Sequence, residues 1–216
     1  LRLPAILKTK ASIGIILGAL GIGFTIAGML LPWYTVNADI QTTSLSTGGI
    51  IELLVMDGFR GVQVNFLRGG EGLSPVFGLK IPLGILLLTG IIFSVLDIVG
   101  VGKTKSLGNK YIISGIFFIV IVVVLVIFIS QLASTLPSLA ASVGADLPPE
   151  AIEIAGTIAQ QPLRGETASP VGDFGSVFLS WGLAIGAYMF VLAAATKIIG
   201  GIILRQTREP TPTPQP

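Results

Sequence analysis

Few residues in this chain of 216 can do chemistry, because histidine and cysteine are both absent. Their absence removes the commonest general base, the thiolate nucleophile, and the imidazole and thiolate ligands of transition metals. Carboxylates, hydroxyls and amines remain, and a single carboxylate, Asp97, falls inside an apolar stretch. An acid in hydrocarbon is costly and normally turns toward a partner within the protein. Lys197 lies at a matching distance from the corresponding end of the last apolar stretch, so the spacing predicts an intramembrane Asp97–Lys197 ion pair. Such a pair serves either as a proton or cation site or as a clasp between helices, with Lys197 snorkelling. A relay needs further ionisable groups, and the apolar stretches hold none, so the residues favour the clasp.

No other constellation reaches catalysis. The hydroxyls of Thr25, Thr89, Ser94 and Ser114 have no base predicted beside them, and in membrane helices such groups usually bond to their own backbone. One intramembrane aspartate cannot form a paired-aspartate site. Gly69-Gly70-Glu71-Gly72 is a turn and not a phosphate loop, since no Walker lysine follows. No catalytic residue, cofactor or metal site is therefore predicted, and the protein is read as a non-enzyme.

The elements that must position Asp97 and Lys197 follow from hydropathy. Apolar residues make up 52% of the chain and charged ones 11%, against about 25% charged in soluble domains. Four apolar segments, about 13–33, 81–101, 111–132 and 177–204, each approach or exceed the ~20 residues that span a bilayer as a helix. The first, preceded by Arg2, Lys8 and Lys10, is longer than the core of a signal peptide and is expected to be retained. The fold class expected is an all-α transmembrane four-helix bundle, residues 1–206, with a small extracytoplasmic β-rich first loop. The external loops are 34–79 and 133–176, and 207–216 is a disordered Pro/Thr-rich tail.

Orientation comes from the basic residues. Arg2, Lys8, Lys10, Lys103, Lys105, Lys110, Lys197, Arg205 and Arg208 fall on one side, nine of the thirteen. This predicts an integral protein of the cell membrane with both termini cytoplasmic and both large loops outside. The basic residues are too scattered for nucleic acid. Lipid, other membrane subunits or a second copy of the chain are the partners expected.

Within the first loop, Val36, Ala38 and Ile40, then Val62, Val64 and Phe66, alternate in the manner of half-buried strands, separated by Gly48-Gly49 and Gly69-Gly70. Ile50 to Met56 is either a further strand or a short helix. In the second loop the third helix is expected to run on despite Pro137, a short helix to start near Pro148, and Gln160 to Gly172 to be loop. Glycines at 14, 18, 21 and 23 in the first span, and at 182 and 186 in the fourth, predict close packing of the first helix on the fourth, or self-association. The third span, rich in Val and Ile, is expected to face lipid or a partner helix. Trp33, Tyr34 and Trp181 are predicted interfacial anchors, and Val62, Val64 and Phe66 a partner-contact loop.

Leu31-Pro32-Trp33 closing a Gly-rich first helix, ahead of a strand-rich loop, resembles the claudin and PMP22 tetraspan superfamily. The resemblance is sequence-specific only around residues 14 to 40 and implies a four-helix bundle capped by an external sheet. The superfamily's Gly-Leu-Trp motif and its two loop cysteines are missing here, so barrier function is not implied. The function expected is that of a non-catalytic structural or accessory subunit within a larger membrane assembly; the alternative is a small oligomeric channel or transporter.

Overall fold

The computed structural model describes residues 5–42, 50–64, 74–100, 104–142, 149–170 and 175–206. Five helices and six strands alternate along them: α1 (Ala5–Leu30), β1 (Tyr34–Thr42), β2 (Ile50–Asp57), β3 (Gly61–Val64), β4 (Ser74–Val76), α2 (Phe77–Gly100), α3 (Thr104–Ser142), α4 (Pro149–Gln160), β5 (Arg164–Pro170), β6 (Gly175–Leu183) and α5 (Ile185–Gln206). Three stretches are long and apolar enough to cross a membrane, Lys10–Leu30, Leu107–Ser138 and Ile185–Gln206, and α2 holds a shorter apolar stretch, Gly84–Asp97. These make the chain an integral membrane protein in kind. Its residues form two compact units: a helical one of Leu1–Ala27, Leu88–Val120 and Met189–Pro216, and a sheet-bearing one of Gly28–Leu87 and Ile121–Tyr188.

The sheet changes the expected fold class from all-α to mixed. Its strand order is β4-β3-β2-β1-β6-β5, all neighbours antiparallel, so both long loops contribute to one sheet. Ile50–Asp57 is a strand, which settles the choice left open above. Arg164–Pro170, expected as loop, is the edge strand β5.

The fourth apolar segment is the largest correction. Its first third is not helix: β6 pairs with β1 over nine residues, from Tyr34↔Leu183 to Thr42↔Gly175. The alternation was present in the sequence, with Val177, Leu179 and Trp181 interleaved by Ser176, Phe178 and Ser180, but hydropathy summed over a window hides period two inside a long apolar run. The helix proper starts at Ile185, and its 22 residues rise about 33 Å at ~1.5 Å each, still enough to span.

Alternation gives the sheet two faces. Tyr34, Ala38, Met56, Val62 and Trp181 share one face and are each no more than 3% exposed. Thr35, Asn37, Asp39, Ser180 and Glu166 lie on the other. The β2–β3 turn is held by Asp57, whose carboxylate Oδ1 accepts hydrogen bonds from the backbone N–H groups of Phe59 (2.8 Å) and Arg60 (2.5 Å). Gly61 then leaves the turn at φ 78°, a backbone conformation that side chains with a Cβ rarely adopt.

The aromatic residues expected at a membrane interface fasten the sheet. Trp33, outside α1, is 1% exposed, its indole N–H donates to the Gly28 carbonyl at 2.8 Å, and its backbone N–H donates to Met56 O at 2.7 Å. Trp181 lies in β6 over Gly165, where any Cβ would strike its ring, and donates from Nε1 to Gln161 O at 3.0 Å. Tyr34, 2% exposed, opens β1. Burial also rules out Val62 as a partner contact, since it is 1% exposed. The backbone of Val64 lies in β3; Phe66 and the 207–216 tail lie outside the described residues. In the same unit α4 is tied to α3 by Ser130, whose hydroxyl donates to Ala159 O at 2.7 Å.

Candidate functional site

Two places gather polar side chains. The first lies inside the helical unit, where the structure brings Asp97 of α2 and Lys197 of α5 together. Lys197 Nζ is 2.7 Å from Asp97 Oδ2, with the lysine side chain 0% and the aspartate side chain 2% exposed. Ser114 of α3 completes the cluster: its hydroxyl donates to Asp97 Oδ2 at 2.8 Å and lies 3.1 Å from Lys197 Nζ. The ammonium also sits 4.5 Å from the centroid of the Phe118 ring. A lysine has three N–H donors, and here a carboxylate, a hydroxyl and an aromatic face surround it. The pairing withdraws both charges from solvent and links three helices. Phe118 extends the linkage by stacking on Phe190 of α5 at 5.5 Å, and neighbouring Phe117 stacks on Phe93 of α2 at 4.2 Å.

Ser114, expected as a lone hydroxyl with no base beside it, instead donates to the Asp97 carboxylate, and Phe118 was not singled out from the sequence. They fall four residues apart on α3, one helical turn, so they share a face. Ser94 and Thr25 do what lone hydroxyls in helices usually do, donating to the carbonyls of Gly90 (3.0 Å) and Gly21 (2.9 Å).

Glycines make this cluster possible. Gly21 faces Lys197, and an added Cβ would meet the lysine Cγ at 2.5 Å; Gly14 faces Leu204 and Gly200, and Gly18 receives the ring of Tyr111. Gly23 is different, with nothing within 4 Å of its would-be Cβ. The expected partners on the last helix need correction. Gly182 is a strand residue against Leu163 and Arg164, and Gly186 packs on the carbonyls of Leu31 and Pro32 within the sheet-bearing unit. The close approach to α1 is made by Gly200 and Ala193, while Gly201 and Ala194 meet α3 at Gly108 and Gly115. The third helix is therefore no lipid-facing rod on every side. Gly108 and Gly115 are seven residues apart, two turns of one face, and that spacing was the available signal.

The second place is the polar face of the sheet. Two adjoining cavities lie there, about 290 and 550 Å³, and share Asn37, Glu166 and Ser180 as lining. The register explains the sharing, because Asn37 pairs with Ser180 and Ser180 with Glu166, placing them in one row across β1, β6 and β5. Arg164 and Tyr188 line the smaller cavity; Asp39, Ile50 and Phe178 line the larger. Ile50 is 75% and Phe178 42% exposed, so apolar groups stand open beside carboxylates and hydroxyls. Asn37 Oδ1 is buried and has no hydrogen-bond partner. An amide oxygen withdrawn from water in this way loses hydrogen-bonding free energy that a ligand or partner donor would restore. Among the described residues no group of three or more acidic side chains is arranged to hold a metal ion.

Compared with known proteins, the chain matches no family model and no curated protein.

Proposed function

We propose that the protein is a non-catalytic accessory subunit of a membrane assembly, crossing the bilayer four times through α1, α2, α3 and α5 and engaging a partner through the outer face of its sheet. In this reading α2, with 24 residues, is the fourth crossing, both chain ends lie in the cytoplasm, and both long loops lie outside. The bias of basic residues toward the chain ends and the α2–α3 connection supports that orientation. The relationship to the claudin and PMP22 superfamily belongs to the same proposal, supported by Leu31-Pro32-Trp33 at the end of α1 and by the strands that follow it.

The observation that carries this reading is the contrast in how polar groups are disposed. Inside the helical unit Lys197 and Asp97 neutralise one another, which leaves them unsuited to a permeation path. On the sheet, a buried and unsatisfied Asn37 oxygen and exposed Phe178 and Ile50 stand together in an open cavity, the mixture of apolar and polar groups found at protein contact surfaces. The test is purification from the native membrane in a mild detergent. A stoichiometric co-purifying subunit, lost on Asn37→Ala and Phe178→Ser substitution while Gly23→Ala, which meets nothing within 4 Å, leaves it bound, is the expected result. Ion flux through the purified chain alone in proteoliposomes would instead establish a channel.

A further inference from the structure

The two edges of the sheet differ in what they leave open. β4 is three residues long with Pro75 at its centre, so little backbone is free there. β5, at the other edge, is seven residues long and pairs only with β6. The register shows which of its backbone groups are used. Leu183 N–H donates to Leu163 O at 3.0 Å, and Arg164 lies opposite Gly182 and Gly165 opposite Trp181. Odd-numbered residues of β5 therefore turn their N–H and C=O groups toward β6, and even-numbered ones turn theirs outward. Pro170, which has no N–H, falls at an outward position, the place an edge strand tolerates proline. Among the described residues nothing hydrogen-bonds to the outward backbone groups of Arg164, Glu166 or Ala168, and all three residues are exposed.

Such an edge is a template for another strand, and its charges say which. Arg164 and Glu166 stand two residues apart on the polar face, and among the described residues neither joins a salt bridge or a side-chain hydrogen bond. This pattern is complementary to its own reverse. When two copies of β5 meet antiparallel, outward residues must oppose outward residues, which leaves few registers. With Gly165 on the two-fold axis, Arg164 of each copy stands opposite Glu166 of the other, and the opposed residues exchange backbone hydrogen bonds. Moving the axis to Arg164 or to Glu166 sets like charges face to face. Moving it to Thr167 leaves no charge pair and sets Pro170 opposite Arg164, where an N–H is needed.

We infer that the β5 edge is a self-association site, at which a second copy of this chain pairs antiparallel with Arg164 opposite Glu166. The site is the edge of the sheet and not the cavities on its face, so it does not rest on the accessory-subunit reading. A chain that dimerises with no other subunit bound, or one that binds a subunit as a monomer, separates the two.

Cysteine cross-linking in the native membrane tests it, on two co-expressed full chains with different affinity tags, one Arg164→Cys and the other Glu166→Cys. The chain has no cysteine of its own, and Cα atoms opposed in a hydrogen-bonded pair lie ~5.5 Å apart, within the reach of a disulfide. Oxidation should give a covalent dimer carrying both tags, and no dimer from either variant expressed alone. The unaltered chain in mild detergent should be a dimer by light scattering. Arg164→Glu and Glu166→Arg should each raise its dissociation constant by about tenfold, through two cross-strand pairs, and the two substitutions together should restore it. Glu150→Arg, at an exposed position of α4, should leave it unchanged. Should a reversal variant fail to fold, the cross-linking decides alone. Absence of the mixed-tag dimer, cross-linking by Glu166→Cys alone, no recovery in the folded double reversal, or an equal loss with Glu150→Arg would each overturn the inference.

Discussion

The helical unit and the sheet-bearing unit treat charge and polar groups in opposite ways. The stretches of the helical unit carry nine basic residues against two acids, Asp97 and Glu209, whereas those of the sheet-bearing unit carry four basic residues against nine acids. Inside the helical unit, Lys197 is closed in by Asp97, Ser114 and Phe118. On the sheet, Asn37 keeps a buried oxygen without a partner beside an open cavity. The difference follows from solvent. In hydrocarbon an unpaired charge is far more costly than any packing defect, so polar groups there are bound to one another. A sheet with one apolar face already buried can leave its other face available.

The sharpest way to break this comparison is to leave Asp97 without its ammonium. Lys197→Met should cost about 3–5 kcal/mol, the penalty for stranding one member of a buried pair, read as a fall in unfolding midpoint in detergent. Joining it to Asp97→Leu should recover most of that loss, since apolar replacement of both partners is often neutral. A double variant less stable than Lys197→Met alone would mean that the pair does not act as a clasp.

A smaller effect separates the glycines, which looked alike in the sequence. Gly18→Ala places a methyl group in the Tyr111 ring and should destabilise by about 1–3 kcal/mol, as overpacking does. Gly23→Ala meets nothing within 4 Å and should be neutral or stabilise by up to ~1 kcal/mol through helix propensity. Equal losses at both positions would place a second helix against Gly23.

The smallest effect lies in the sheet. The Tyr34 hydroxyl is buried and has no hydrogen-bond partner, so Tyr34→Phe should be neutral or raise stability by about 1 kcal/mol. Burial also pushes the Tyr34 phenol pKa up. In the unfolded chain it ionises near pH ~10, so the folded form is favoured below that pH and loses stability as pH rises above it. Alkaline unfolding of Tyr34→Phe should lack that increment, measured as the difference in midpoint between about pH 9 and pH 11.

The sequence made some of this legible and concealed the rest for physical reasons. Asp97 and Lys197 could be matched because each is a lone charge in an apolar run, and depth along a helix is a matter of counting. The strands at Val36 and Val62 showed through their alternation. The β6 strand did not, because Val177, Leu179 and Trp181 on one face and Phe178 on the other raise local hydropathy to that of a span, and the segment runs directly into a real one at Ile185. The packing of Trp33, Tyr34 and Trp181 was hidden for a related reason. An aromatic residue at the end of an apolar segment reads as an interfacial anchor, and that reading does not show that the chain beyond it turns into a sheet that buries all three. Which glycines meet which helix depends on rotation about the helix axes, which small-residue spacing leaves open.

The most direct test of the four-crossing reading uses the absence of cysteine, which gives single-cysteine variants no background. Lys10→Cys, Arg205→Cys, Phe59→Cys and Leu163→Cys all place the probe at exposed positions. In sealed right-side-out vesicles, a membrane-impermeant maleimide should label Phe59→Cys and Leu163→Cys at once, and Lys10→Cys and Arg205→Cys only after permeabilisation. Labelling of Lys10→Cys and Arg205→Cys from opposite sides would mean that α2 does not cross and would contradict the four-crossing arrangement.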